Sequence, residues 1–356
     1  MSKVIIRVFR LADEAVCRRI AAEAAMTSYG RSMPELSHVF RQEQPLDQAE
    51  LRMVAEDDGV IVGFVELNAN HIENLFVARS HQGKGIGSRL LQAAEATVNG
   101  EVTLSVFHSN PRARALYERL GYTVLADAEI SFHGRDQKVW RMAKPRPSFP
   151  NLKGMIFDFD GVLADSAEWM VGTVVRLNRE FGLQHWDAVE IETLRGLSNR
   201  EIIRRAHVPI WKLPAMMRRG RELARQAGDQ IKSFEGAETT LERIKARGLR
   251  LGLLSSNSFD RIAQTLTPET LAMFDHIETG ASLFGKASRL KRMTNLMGLH
   301  VTDVAYIGDE TRDVEAAQRA GLHPVAAGWG YAHVSTLIDS GTEHIVMSLR
   351  NLERWV

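Results

Sequence analysis

Cysteine is nearly absent: Cys17 is the only one in 356 residues, so the chain has no internal disulfide and no multi-cysteine metal site, which fits a reducing cytoplasm. Charge of one sign is lacking as well. The 45 Lys and Arg residues against 44 Asp and Glu leave a net charge of +1, which gives no electrostatic case for nucleic acid or an anionic membrane as partner. No apolar run approaches the ~20 residues that span a bilayer. The segment from Met1 to Arg10 reads as a short alternating strand, broken by Lys3, Arg7 and Arg10, rather than as a secretion signal. Repeats and low-complexity tracts are missing too. What remains is the composition of an ordinary soluble protein, 44% hydrophobic and 25% charged, in a chain long enough for two domains of about 150 to 200 residues.

Proline is sparse, with 10 residues in all, yet three fall within the seven positions from Lys144 to Pro150. Such a stretch continues neither a helix nor a central strand and reads as a stiff linker. The expected organisation is a first domain over 1–143, a linker over 144–151 and a second domain over 152–356.

In the second domain, the stretch from Met155 to Ser166 drives apolar residues into Asp158, places a second acid at Asp160 and turns at Gly161. The pattern is that of a buried strand delivering two carboxylates to its C-terminal end, where ligands bind in open α/β sheets. Two such acids are costly without a cation or a shared proton. Helical patterns then dominate from Ala167 to about Gln230. The strand Leu249 to Leu254 ends in Ser255, Ser256 and Asn257, where a hydroxyl is a sensible donor to phosphate oxygens. Phe284-Gly285-Lys286 introduces a helix, and Lys291 lies a turn or more further on. Val304 to Gly308 reads as a strand followed by Asp309 and Asp313, which at i, i+4 on a helix start would face one way and suit Mg²⁺, a hard ion that takes oxygen ligands.

These four motifs, in this order, resemble those of the haloacid dehalogenase-like (HAD) hydrolases. The resemblance implies a Rossmann-like parallel sheet with an inserted helical C1 cap over about 167–232. It implies Asp158 as the nucleophile attacking phosphorus and Asp160 as the acid that protonates the leaving oxygen and then activates water. Mg²⁺ would be held by the Asp158 carboxylate, the Asp160 carbonyl and Asp309. Ser256, the residue before Asn257, would bind phosphate, Lys286 would neutralise the phosphoryl group and Asp313 would position the ligands or the lysine. Arg195, in a break between cap helices, is either a contact for a substrate anion or a surface arginine. The tail with Gly328-Trp329-Gly330-Tyr331 and a last strand near His344 to Met347 resembles the phosphoglycolate-phosphatase-like branch, which implies a small phosphomonoester substrate.

In the first domain, Val4 to Val8 reads as a strand, Ala12 to Met26 as a helix and Gln48 to Glu56 as a second amphipathic helix, with strands at Val60 to Leu67 and Ile72 to Val77. The last strand runs into Gln82-Gly83-Lys84-Gly85-Ile86-Gly87-Ser88 at the start of a helix. A glycine-rich turn there exposes backbone N–H groups at the positive end of a helix dipole, which suits a pyrophosphate. Val102 to Phe107 is a further strand, and Asn110-Pro111 opens a helix that carries Ala113, Leu116 and Tyr117 and ends at Gly121-Tyr122.

Gln82, Gly85 and Gly87, with Asn110, Ala113, Leu116, Tyr117, Gly121 and Tyr122, resemble the two motifs of the GNAT superfamily of acyl-CoA N-acyltransferases. The resemblance implies a mixed sheet flanked by helices and an acetyl-CoA site built from Phe76, Val77, the turn residues 82–88, Asn110 and Tyr117. Amine attack on a thioester needs a proton acceptor, for which Glu73 and His71 compete, and Tyr117 would protonate the departing thiolate. The whole is an α/β protein of two domains, expected to be a bifunctional enzyme: an acetyl-CoA-dependent N-acetyltransferase of a small amine joined to a Mg²⁺-dependent phosphatase. The alternative is a phosphatase regulated by an acyl-CoA-binding module.

Overall fold

The computed structural model describes residues 4–29, 49–132, 135–146, 151–183, 204–205, 207–226, 230–280 and 285–355. The chain divides into two compact units, Met1–Phe149 and Pro150–Val356. Among the described residues no helix is long and apolar enough to cross a membrane.

The first unit is built on a seven-stranded sheet of β1 (Ile5–Val8), β2 (Leu51–Asp57), β3 (Val60–Asn68), β4 (His71–Val77), β5 (Val102–Phe107), β6 (Thr123–Phe132) and β7 (Arg135–Lys144), in the order β1-β2-β3-β4-β5-β7-β6. Every pairing is antiparallel except β4 with β5. Helix α1 (Glu14–Tyr29) lays Cys17, Ile20 and Ala21 against Val54 and Phe64 of the sheet, all buried. Burying a side chain the size of Ile20 or Phe64 contributes ~1.5–3 kcal/mol, so this contact holds the helix to the sheet. Two further helices are α2 (Ile86–Ala96) and α3 (Pro111–Arg119).

The expected helix over Gln48 to Glu56 is a strand instead: Leu51–Asp57 pairs with β1 on one side and β3 on the other. Its inner residues Arg52, Met53, Val54 and Ala55 are all buried, so the strand shows no apolar and polar alternation. Tertiary pairing overrides the local propensity there.

The second unit holds a six-stranded, all-parallel sheet of β8 (Gly154–Phe157), β9 (Arg250–Leu254), β10 (His276–Glu278), β11 (Val304–Gly308), β12 (His323–Ala327) and β13 (Ile345–Val346), ordered β10-β9-β8-β11-β12-β13. All four residues of β8 are buried, as a central parallel strand requires. From β8 the chain builds outward through β9 and β10 and then returns to place β11 on the other side of β8. The order therefore reverses between β8 and β11, which is where open parallel sheets bind ligands. Between β8 and β9 lie helices α4 (Ala167–Glu180) and α5 (Leu213–Gln226), where the sequence pattern places the cap. Arg195 lies outside the described residues. Three more helices, α6 (Ala237–Ala246), α7 (Lys286–Leu296) and α8 (Thr311–Ala320), complete the longer elements.

Candidate active sites

β8 ends at Phe157 and delivers Asp158, while β11 ends at Gly308 and delivers Asp309 beside it. The carboxylate oxygens of Asp158, Asp309 and Asp313, all buried, lie within 4.8 Å of one another. Lys286 Nζ donates to Asp158 Oδ2 at 2.6 Å and to Asp313 Oδ1 at 2.5 Å. The other oxygens are held by the backbone: Asp158 Oδ1 accepts from Phe159 N (2.8 Å), Asp309 Oδ2 from Tyr331 N (2.8 Å) and Asp313 Oδ2 from Glu310 N (3.0 Å). Gly161, at φ +70°, is the close approach that lets this cluster form. A Cβ at that position would stand 1.8 Å from Asp309 Oδ2.

The expected basis for bringing Asp309 and Asp313 together is corrected. Asp309 precedes the residue that caps α8, and only Asp313 is helical. The two carboxylates converge because a tight turn folds the strand end onto the helix start, and not through i, i+4 spacing on one helix.

Electrostatics separate the roles within the cluster. Burial opposes the Lys286 charge, yet Asp158 and Asp313 outweigh it and hold the ammonium above its ordinary pKa. Burial and the nearby Glu310 and Asp313 charges raise Asp309 well above the usual carboxylate range, and burial pushes Glu310 up to about 7. Asp158, Asp309, Glu310 and Asp313 face Lys286 and Arg312, so four acids meet two cations and two negative charges are unbalanced when all are ionised. An all-oxygen donor set with that surplus fits a hard divalent cation such as Mg²⁺.

Asp160, half-buried, accepts from Asn257 Nδ2 at 2.7 Å and also from Ser166. Its crowded position and the Asp158 charge raise its pKa, which favours the protonated form a general acid needs. The hydroxyl of Ser255 is buried and accepts from Asn257 N at 3.0 Å, whereas Ser256 is exposed at the end of β9.

In the first unit β4 and β5 pair only at His71 with Thr103 and at Ile72 with Leu104, and they diverge beyond. A cavity of 770 Å³ opens in the fork, with His71, Glu73, Phe76, Val77, Gln82 and Tyr117 in its lining. From Glu73 to Val77 the edge of β4 that faces β5 has no strand partner, so its main-chain groups border the cavity. At the end of β4, Gln82 Nε2 donates to Val77 O at 3.0 Å and closes the turn. Gly85 follows at φ +80° as the residue before α2, and a Cβ built on it meets nothing within 4 Å. The first amides of α2 have no intrahelical partner, as at any helix start.

Asn110 Oδ1 accepts from Ala113 N at 3.1 Å and caps α3, so its side chain serves the helix that carries Tyr117. Tyr117 is half-buried and meets the ring of Tyr122 edge-on at 5.6 Å. Tyr122 is anchored in turn by its hydroxyl, which donates to Glu95 Oε1 at 3.1 Å.

A family model described as haloacid dehalogenase-like hydrolase matches residues 155–327, and one described as acetyltransferase (GNAT) family matches residues 17–122. A phosphoglycolate phosphatase of Synechococcus elongatus is 35% identical over 191 residues, covering 52% of this chain and 89% of the relative. The chain belongs to the haloacid dehalogenase-like hydrolases through its second unit, and its first unit carries a GNAT acetyltransferase domain. A phosphoglycolate phosphatase of Chromobacterium violaceum is 29% identical over 219 residues, covering 57% of this chain and 96% of that one. In fold, the chain matches a hydrolase of the haloacid dehalogenase-like family from Streptococcus pneumoniae with a TM-score of 0.50 at 18% identity, covering 58% of this chain and 98% of that one.

Of the HAD residues singled out by sequence, Asp158, Lys286, Asp309 and Asp313 form one cluster by the hydrogen bonds and carboxylate distances given above. Asp160 and Asn257 form a hydrogen-bonded pair that follows Asp158 in the chain on one side and β9 on the other. Lys291 faces a different surface, between α7 and α8, and takes no part. Glu310, Arg312 and the Tyr331 amide, which sequence reading passed over, complete the charge and hydrogen-bond balance. Their only sequence signal is position: two flank Asp309 and Asp313, and the third belongs to the Gly328 to Tyr331 motif. In the GNAT unit, Glu73 and His71 both line the fork. Glu73 is exposed and accepts from Asn68 Nδ2 at 3.3 Å, while His71 Nδ1 is 2.8 Å from Thr103 Oγ1.

Proposed function

We propose that the chain is a bifunctional enzyme that hydrolyses a small phosphomonoester with Mg²⁺ in its HAD unit and acetylates a small amine from acetyl-CoA in its GNAT unit. The observation that carries the hydrolase half is the position of Lys286 between Asp158 and Asp313, with Asp309 alongside. Asp158 Oδ attacks phosphorus, a P–O bond forms to the carboxylate, and the bond to the alcohol oxygen breaks as Asp160 gives that oxygen its proton. Water then attacks phosphorus, Asp160 takes the water's proton and the acyl phosphate bond breaks to release inorganic phosphate. Lys286 pairs with Asp158 and offsets phosphoryl charge, and Ser256 is exposed to donate to a phosphate oxygen. Asp158, Asp309 and the Asp160 carbonyl would hold Mg²⁺, with Asp313 as a positioning residue, and the ion would supply the charge that lets an anionic ester approach a carboxylate. Similarity to the Synechococcus and Chromobacterium phosphoglycolate phosphatases favours phosphoglycolate or a similarly small ester.

For the acyl-transfer half, the supporting observation is the fork between β4 and β5 with the open turn at Gly85. The amine nitrogen forms a bond to the thioester carbonyl carbon and gives its proton to Glu73 or His71. The C–S bond then breaks and Tyr117 protonates the thiolate. Asp158→Asn tests the hydrolase chemistry: phosphate release is expected to fall at least a hundredfold, with thioester consumption against an amine panel nearly unchanged. Phosphatase activity surviving at a tenth of wild type would overturn the nucleophile assignment.

A further inference from the structure

The GNAT cavity has a second wall, contributed by β5, β7 and β6. Register places Ser105 opposite Arg141, Phe107 opposite Val139, and Ala128 opposite Val139 on the other side. Strand alternation therefore puts Ser105, Phe107, Ile130, Phe132, Val139 and Arg141 on one face, and all six line the cavity. The wall is apolar, with Phe107 and Phe132 in edge contact at 5.2 Å, apart from Ser105 and a single guanidinium. Leu125 extends it. This residue is the extra one where β6 shifts register between Val124 and Ala126, and the bulge leaves its side chain 60% exposed at the cavity, beside the position paired with Arg141.

Arg141 is itself exposed and, among the described residues, makes no ion pair. Among the described residues, the other charged or titratable lining groups besides Tyr117 are His71 and Glu73, both near the narrow end of the fork, His71 where β4 and β5 pair and Glu73 just past the last pair. An unpaired guanidinium beside an exposed leucine, on the same cavity wall as an aromatic pair, is arranged for a ligand that is apolar in body and anionic at one end.

We propose that the acetyl acceptor is such a ligand: an amine bearing a carboxylate or phosphate monoester that Arg141 binds, with an apolar body against Leu125, Ile130 and Phe132. The inference rests on the acyl-transfer reading of the fork and narrows it to one substrate class.

The test is calorimetry on the full-length chain with coenzyme A saturating and no added divalent cation. Phenylacetate and phenylphosphonate are the anionic probes, and benzyl alcohol is the uncharged one. At least one anion is expected to bind about tenfold or more tighter than benzyl alcohol, and which anion is preferred identifies the acceptor's charged group. Arg141→Gln should erase that preference while leaving coenzyme A affinity unchanged, and Arg141→Lys should restore part of it. No anion preference in a chain that binds coenzyme A normally would overturn the inference alone. A tenfold loss of coenzyme A affinity in Arg141→Gln would also overturn it, by assigning the guanidinium to the cofactor. Failure of coenzyme A to bind the unaltered chain would remove the acyl-transfer reading and this inference together.

Discussion

Arg7 projects from β1 into the base of the GNAT unit, where its guanidinium donates to Asp13 at 2.7 and 2.9 Å and to Glu56 at 2.8 Å. Both Arg7 and Asp13 are buried, so a single charge there would be expensive and the pair is stable only as a pair. Burial works to raise the Asp13 pKa, but the hydrogen bonds from Arg7 and from the Arg10 amide outweigh it and hold the carboxyl below its ordinary value. A carboxyl depressed in the folded state stabilises the fold above its unfolded pKa, ~3.9, and that contribution is lost as pH falls through the lower folded value. Asp13→Asn should therefore cost about 3 kcal/mol at neutral pH, because it strands a buried guanidinium beside one remaining acid, and progressively less below pH 4. Hydrogen exchange across β1 and β2, read by mass spectrometry at several pH values, checks this. Equal loss of protection at pH 7 and pH 3 would mean the pair is not what holds the strand.

The turn between β4 and α2 is where an element, rather than a residue, performs a function. It must present amides to an anion, and a backbone at φ +80° with nothing in front of it does so only as glycine. Gly85→Val should weaken acetyl-CoA binding by more than tenfold, or ~1.4 kcal/mol, with phosphatase activity unchanged; calorimetry showing wild-type affinity would remove the pyrophosphate from this turn. That turn was legible in the sequence because its chemistry is local: glycines, a strand before and a helix after. The same holds for Asp158 and Asp160 at the end of β8 and for Lys286 at the start of α7. β2 was not legible as a strand, because its inner residues are buried on both faces and its partners lie on β1 and β3. The route by which Asp309 and Asp313 converge was misread for a related reason. A cap at Glu310 and a hydrogen bond from Tyr331, 22 residues away, decide it, and neither follows from spacing. Arg141 and Leu125 were invisible as site residues, since only cross-strand register and a bulge put them at a cavity.

At the scale of the whole chain, the two phosphoglycolate phosphatase relatives compared above align over 52% and 57% of its length, with each relative covered almost entirely. The GNAT unit therefore lies outside the part of the chain that matches these relatives, and it is held to that part at fixed one-to-one stoichiometry. Tethering raises the local concentration of each unit's product around the other, and that advantage matters only if the product of one is a substrate of the other. The anionic preference inferred at Arg141 sets the order. If the anion it binds is a phosphate monoester, acetylation has to come first, because hydrolysis in the HAD unit would remove the group that the GNAT unit recognises. Two rates follow for an amino phosphate ester with an apolar body. The free ester should be acetylated with kcat/KM about tenfold or more above that of its dephosphorylated alcohol, and Arg141→Gln should erase the difference. The acetylated ester should in turn be hydrolysed with higher kcat/KM than the free amine. Acetylation that ignores the phosphate, together with hydrolysis that ignores the acetyl group, would mean that the two units act on unrelated metabolites.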